Sequence, residues 1–288
     1  MYKRAWAVFS EFYHRFHNEP FRLPLPPASI TLFIAYLCAK GLAPATINSY
    51  LSAIAYVHKV KGLFDPTKSF LIEKLLVAVG RRTQADTRLP LSRPLLYSLI
   101  AALNHTSPSG YQRTLYTSMF LLAFYGFFRI GELTCKLPRQ SANTLQLQNV
   151  TFLVHDNQIC SIKIVITKFK HNTNNRPFTI IIDRESSEPH CPVQCLLDYL
   201  KVRGCQQGQL FSYPNGEPVT VTKFNTQLRS ALNFCGLDSS RYKGHSFRIG
   251  AACYAAEKGM SDAQIRILGR WSSDAFKVYI RPPSLNAN

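Results

Sequence analysis

The sequence predicts a mainly α fold with a small antiparallel β-sheet, an α+β class arranged as two domains. Three observations carry this. Helix-period apolar patterns fill the first part of the chain and return after the middle. Three β-branched runs of strand length sit together between them. A polar, basic stretch from Gly80 to Pro94, "GRRTQADTRLPLSRP", interrupts the pattern and reads as a linker. The 288 residues suffice for two domains, placed at 1–88 and 89–288.

In the first domain, "SITLFIAYLCAKG" repeats apolar residues at helical spacing (Ile30, Phe33, Ile34, Leu37), with Ser29 as the expected N-cap and Gly41 as the stop. "APATINSYLSAIAYVHKVKG" does the same through Ile47, Leu51, Ile54 and Val57, and "SFLIEKLLVAVGRR" supplies a third helix. The second domain opens with "RPLLYSLIAALNH" and then "YQRTLYTSMFLLAFYGFFRIGELTCKL", whose nearly all-apolar segment predicts a central buried helix. "NVTFLV", "ICSIKIVITK" and "PFTIII" follow as strands, with "HDN" and "FKHNTNNR" as the turns. Helices resume at "PVQCLLDYLKVRG", "TKFNTQLRSALNFCG" and "HSFRIGAACYAAEKG". Ser261 caps "DAQIRILG", and Ser272 or Ser273 a last short helix carrying Tyr279.

Lys and Arg number 34 against 16 Asp and Glu, a formal net charge of +18. Such a field draws polyanions. The cations are spread through the chain rather than gathered in a tail or one amphipathic helix, which favours a groove holding nucleic acid over a membrane surface. No run approaches the roughly 18–20 apolar residues that span a bilayer. The N-terminus lacks the uniform apolar core of a signal peptide. The expectation is a soluble intracellular protein with no membrane partner. The eight Cys are irregularly spaced. "HCPVQC" lacks the second pair of ligands that a zinc site needs, so buried free thiols and no metal are expected.

His245 and Arg248 stand three apart, on one face at the start of a predicted helix, an end that favours anions. Taken alone, His245 is more often a hydrogen-bonded structural histidine and Tyr279 a packed aromatic. Arg129 weighs more. It ends the apolar run "MFLLAFYGFF", where a cation is costly unless paired or bound to an anion. Glu132, three residues on, is placed to orient it, and an Arg fork matches phosphate oxygens. Lys168 lies at the end of the second strand, where a Lys is ordinarily just solvated. Arg81, Arg82 and Arg88 in the linker are candidates for DNA-backbone contacts, as readily plain solvated cations.

Taken together, "FRIGEL" at Arg129, "ITKFK" at Lys168, "HSFRIGAA" at His245 and Arg248, "GRW" at Trp271 and "VYIR" at Tyr279 resemble the tyrosine recombinases, the family of phage integrases and chromosome-dimer resolvases. The parts occur in the family's order, and the resemblance covers nearly the whole chain. The ending "GRWSSDAFKVYIR" is most similar in style to recombinases of eukaryotic mobile elements. Two features depart from the pattern. Trp271 precedes Tyr279 by eight residues where the family's spacing is nine, which would put Arg270 in the slot; Trp271 is preferred because the family places His or Trp there. Lys170 rivals Lys168.

The resemblance implies a site-specific recombinase or integrase, with an N-terminal core-binding domain and a C-terminal catalytic domain. Tyr279 would attack a phosphodiester to form a 3′-phosphotyrosyl link, with no cofactor. Arg129, Arg248 and His245 would hold the non-bridging oxygens, Lys168 would act as general acid, and Trp271 would position the phosphate. The implied partners are double-stranded DNA and further copies of the chain in a tetrameric synaptic complex. The implied location is the nucleus for a eukaryotic mobile element and otherwise the cytoplasm. Two competing readings are a DNA-binding protein of the same fold that no longer cuts, and a type IB topoisomerase-like strand transferase.

Overall fold

The computed structural model describes residues 2–17, 20–80, 88–169, 172, 174, 176–185, 189–278 and 280. The chain divides into two units, Met1–Thr87 and Arg88–Asn288.

The first unit holds helices α1 (Tyr2–Phe16), α2 (Pro27–Ala39), α3 (Pro44–Val60) and α4 (Phe70–Gly80). Their inward faces meet in an aromatic core: Phe9 lies edge-on to Phe33 with ring centres 5.0 Å apart, and Phe12 packs on Phe33 at 5.2 Å. Ser29 is not the cap of α2. The helix starts two residues earlier at Pro27, with Pro26 in the cap position, and Ser29 is buried inside the first turn. Proline suits a first helical position because the N–H it lacks has no acceptor there. His58, which no sequence motif singles out, is fully buried. Its Nε2 accepts from the Leu25 N–H at 3.0 Å and its Nδ1 faces the Ile54 carbonyl at 2.8 Å, which fixes a neutral tautomer with the proton on Nδ1.

The second unit is built around α6 (Gly110–Tyr125), whose residues Met119 to Phe124 are all fully buried. Against α6 pack α5 (Arg93–Thr106), α8 (Pro192–Arg203) and α10 (Gly244–Glu257). A one-turn α7 (Ile130–Leu133) follows α6, α9 (Val221–Phe234) covers α5, and α11 (Asp262–Gly269) packs on α10. Hydroxyl caps start several of these helices: Ser92, Ser109 and Thr220 each accept from a first-turn N–H, and Ser261 forms a capping box with Gln264.

The sheet has the order β1 (Val150–His155), β2 (Gln158–Ile166), β3 (Phe178–Asp183), antiparallel throughout. Asp156 and Asn157 both take positive φ, 48° and 57°, the backbone of a type I′ hairpin turn. One face of β2 and β3 buries Ile162, Ile164, Ile180 and Ile182 against the helical core.

The linker ends sooner than its composition suggests. Leu89 N–H donates to the Arg241 carbonyl at 2.9 Å, Leu91 N–H donates to the Ser246 carbonyl at 3.0 Å, and the Leu91 side chain is fully buried. Residues 89–91 are thus a strap on the second unit, beside the start of α10. Arg88 is half-buried where this strap begins; Arg81 and Arg82 lie outside the described residues. All eight cysteines are free, and Cys135, Cys191 and Cys253 are buried, but Cys160 and Cys205 are exposed, contrary to expectation. Among the described residues, no group of three or more His, Cys, Asp or Glu is arranged to hold a metal, and no helix is long and apolar enough to cross a membrane.

Candidate active site

The site begins where α6 stops. Its chain does not run on as a helix through "GFFRIGEL"; it breaks at Gly126–Phe128 and restarts at Ile130, leaving Arg129 in the N-cap position of α7. Phe127 sits at φ 51°, a left-handed conformation that costs a bulky residue on the order of 1–3 kcal/mol. The break turns the Phe127 carbonyl toward two guanidiniums. Arg248 Nη1 donates to it at 2.6 Å and Arg270 Nη2 at 3.0 Å. Charged donors make strong hydrogen bonds, so this pair offsets the strain.

Arg129 is oriented by Glu132. Its Nη1 donates to Glu132 Oε1 at 3.1 Å, and its backbone N–H donates to Oε2 at 2.9 Å. The same Oε2 accepts from Arg270 Nη2 at 2.7 Å. One carboxylate, itself 8% exposed, therefore serves two arginines.

Arg248 comes from the first turns of α10 and is 1% exposed. Besides the Phe127 carbonyl, its Nη2 donates to the carbonyl of Gly269, at the end of α11. The Trp271 ring lies 4.2 Å from its guanidinium carbon. Gly269 permits this stacking, since a Cβ there would run into the Trp271 ring. Arg270 and Trp271 part company at a left-handed turn, φ 53° at Arg270: Arg270 points inward to Glu132, and Trp271 stacks on Arg248. His245 is half-buried on the first turn of α10. The residue before it, Gly244, lies so close to Ile130 that a Cβ would overlap that side chain, so the start of α10 adjoins the residue that follows Arg129.

Lys168 is exposed just past the end of β2, and its Nζ donates to Asn143 Oδ1 at 3.1 Å. It lines a cavity of about 200 Å³ together with Glu132, Asn143 and Gln146. Its neighbour Phe169 packs on the Arg270 guanidinium at 6.0 Å, beside Phe178 at 5.7 Å. The base of the hairpin is thereby tied to the arginine cluster. Tyr279 and Lys170 lie outside the described residues; Phe276, in the 3-10 turn Asp274–Val278, is fully buried and packs on Trp271 at 5.6 Å.

Three guanidiniums against one carboxylate leave a surplus of positive charge in a shielded place. A dianion or phosphodiester is the chemistry that relieves it. Of the residues that the sequence points to, Arg129, Arg248 and Trp271 meet around Phe127 and Glu132, Lys168 lines a cavity with Glu132, and His245 stands on the first turn of α10. The sequence did not point to the Phe127 carbonyl, because side-chain types do not reveal a Phe at positive φ. Arg270 was legible only as a rival for the Trp271 slot; the one available sign was a single nearby carboxylate for two arginines.

No family model matches the chain. An integrase/recombinase XerD homolog from Selenomonas ruminantium is 24% identical over 274 residues, covering 89% of this chain and 72% of that protein. Among solved structures, the XerH site-specific recombinase in a post-cleavage complex with a palindromic difH substrate superposes with a TM-score of 0.64 at 15% identity, over 96% of this chain and 74% of that one. The Tn1549 transposon integrase with transposon right-end DNA gives 0.62 at 15% identity, over 99% and 90%. A lambda integrase dimer bound to a core site gives 0.62 at 14%, over 97% and 70%. These relatives lend no support to a special likeness to eukaryotic mobile-element recombinases.

Proposed function

We propose that this chain, which has the fold of the tyrosine recombinases, is a site-specific DNA recombinase or integrase that cuts and rejoins DNA through a 3′-phosphotyrosyl intermediate. The observation that carries the reading is the junction of Arg129, Arg248 and Trp271 around the Phe127 carbonyl and Glu132, in a chain of formal charge +18. The match to a XerD homolog across most of the chain favours recombination over a topoisomerase-like outcome.

In this reading the Tyr279 hydroxyl attacks phosphorus and gives up its proton to water, the phosphotyrosyl bond forms, and the bond to the 5′ oxygen breaks. Lys168 gives its proton to that departing oxygen. Arg129, Arg248 and His245 hold the non-bridging oxygens, and the positive surplus stabilises the charge that builds in the transition state. Trp271 keeps the Arg248 guanidinium in plane. The phosphotyrosyl bond conserves the energy of the broken diester, so rejoining to a different strand runs the same steps backward. Arg81, Arg82 and Arg88 contact the duplex backbone, and the active assembly is a tetramer on paired DNA sites.

The test is covalent trapping. Nicked suicide duplexes drawn from the DNA flanking the gene should yield a denaturant-resistant protein–DNA adduct with chelator present. Tyr279→Phe should lose the adduct while keeping DNA affinity, since only the hydroxyl is removed. An adduct that survives Tyr279→Phe, or an absolute need for added metal, would overturn the mechanism.

A further inference from the structure

Arg129, Lys168, His245, Arg248, Trp271 and Tyr279 each have a part in the proposed reaction, and Arg270 has none. Yet the Arg270 side chain is 1% exposed, against 24% for Arg129. A guanidinium so deep costs several kcal/mol unless its partner is well held. Its Nε–H meets no acceptor among the described residues. What encloses it is a set of phenyl rings, Phe128 at 5.3 Å, Phe178 at 5.7 Å and Phe169 at 6.0 Å. Its Nη2 grips one oxygen of Glu132 and the Phe127 carbonyl, and its Nη1 reaches the Gly126 and Leu268 carbonyls at 3.4 and 3.5 Å. Burial lowers its pKa below the usual arginine range, Glu132 pulls it back up, and Arg129 pushes it down. Arginine nonetheless stays a cation in proteins.

Glu132 is therefore divided. Oε1 takes Arg129 Nη1, and Oε2 is shared between the Arg129 backbone N–H and Arg270 Nη2. A carboxylate left to one arginine tends to a bidentate fork, two parallel N–H···O bonds. Such a fork would cancel the Arg129 charge and occupy the donors that a phosphate needs. We propose that Arg270 is a positioning residue that draws Glu132 away from Arg129, so that Arg129 stays aimed by a single side-chain bond while its charge and remaining donors serve a phosphate oxygen. Arg270, caged by aromatic rings, does not touch the phosphate itself. The proposal rests on the functional reading only for the phosphate being part of DNA.

Two readouts separate the two claims. One is affinity for inorganic phosphate, followed by thermal shift; the other is single-turnover cleavage of the suicide duplex. Arg270→Met should weaken phosphate binding about tenfold, equivalent to one factor of ten in Kd, and slow cleavage in parallel. Arg270→Met combined with Glu132→Gln should recover most of both losses, because the competing carboxylate goes with the residue that restrained it. Arg270→Lys should fall between, since an ammonium keeps the charge but not the second nitrogen, Nη1, that meets the Gly126 and Leu268 carbonyls. A double variant as weak as Arg270→Met would overturn the proposal. If Arg270→Met does not fold, the double variant, freed of both buried charges, decides alone: wild-type-like phosphate affinity supports the proposal and a tenfold loss refutes it. Wild-type protein that shows this phosphate pattern yet forms no DNA adduct would sink the functional reading and leave the Arg270 assignment standing.

Discussion

Arg248 and Lys168 are assigned to one phosphodiester, yet the fold holds them in opposite ways. Arg248 is 1% exposed and fixed by two main-chain carbonyls and an indole ring. Lys168 is exposed and holds one side-chain amide. The difference suits the role proposed for each. A cation that stabilises transition-state charge works best when it does not move, because reorganisation would consume the gain. A general acid must reach a leaving oxygen that is present only when DNA is bound, so a long stem at a strand end serves it. The chain expends local strain, at Phe127 and Arg270, on the first task and none evident on the second.

The largest effect should come from the fixed side of that comparison. Arg248→Ala removes the proposed transition-state donor and takes its charged donor from the Gly269 carbonyl, while the Phe127 carbonyl keeps Arg270. Cleavage should fall by up to about a thousandfold. Stability should drop by about 3 kcal/mol, as for lost charged hydrogen bonds, which lowers Tm by roughly 6–12 °C in a unit of this size. Thermal denaturation beside single-turnover cleavage reads both. A variant that loses activity with no loss of Tm would mean that Arg248 is held less firmly than its contacts imply.

Lys168→Ala should separate the two quantities. Cleavage should fall by about a hundredfold or more, the worth of a general acid. Tm should stay within about 1 °C, as for an ordinary surface substitution. A 5′-thio leaving group needs no proton, so a duplex carrying it should be cut by Lys168→Ala at nearly the wild-type rate. If the thio substrate rescues Lys170→Ala instead, the acid is Lys170 and Lys168 is scaffold.

The same contrast governs what the sequence reveals. Apolar periodicity located α2, α3, α4, α6 and α10, and "HDN" located a two-residue turn, because these follow from local sterics and burial. Arg129, His245, Arg248 and Trp271 were legible as residue types in a fixed order. The sharing of Glu132 between Arg129 and Arg270 was not, since it joins positions 138 apart through a backbone break. Residues 89–91 were mistaken for linker for the same reason: their partners, Arg241 and Ser246, are distant in sequence. Ser29 misled because a good cap residue stood two positions inside a proline that starts the helix equally well.

Trp271 tests whether the fixed side depends on its stacking partner. Its ring meets the Arg248 guanidinium at 4.2 Å and packs on Phe127 at 6.1 Å and Phe276 at 5.6 Å. A buried cation–π contact is worth about 1–2 kcal/mol, so Trp271→Ala should slow cleavage by roughly 5- to 30-fold. Trp271→Phe keeps a π face and should lose less. Equal losses in both variants would point to a role for the indole N–H rather than the ring.

The smallest effect belongs to Asn143, whose Oδ1 receives the Lys168 ammonium at 3.1 Å in an exposed position. A solvent-exposed hydrogen bond of this kind is worth at most about 1 kcal/mol. If the amide only rests the lysine while no DNA is present, the bond must break before Lys168 can protonate the 5′ oxygen. Asn143→Ala then removes a competitor of the reacting geometry. Cleavage of the normal duplex should quicken by up to about fivefold, the rate equivalent of 1 kcal/mol. The 5′-thio duplex, which asks nothing of Lys168, should be cut at an unchanged rate. A loss as large as that of Lys168→Ala, rescued by the thio substrate, would reverse the comparison with which these tests begin. It would mean that Asn143 aims the lysine as Glu132 aims Arg129, and that the mobile side of the site is as preorganised as the fixed one.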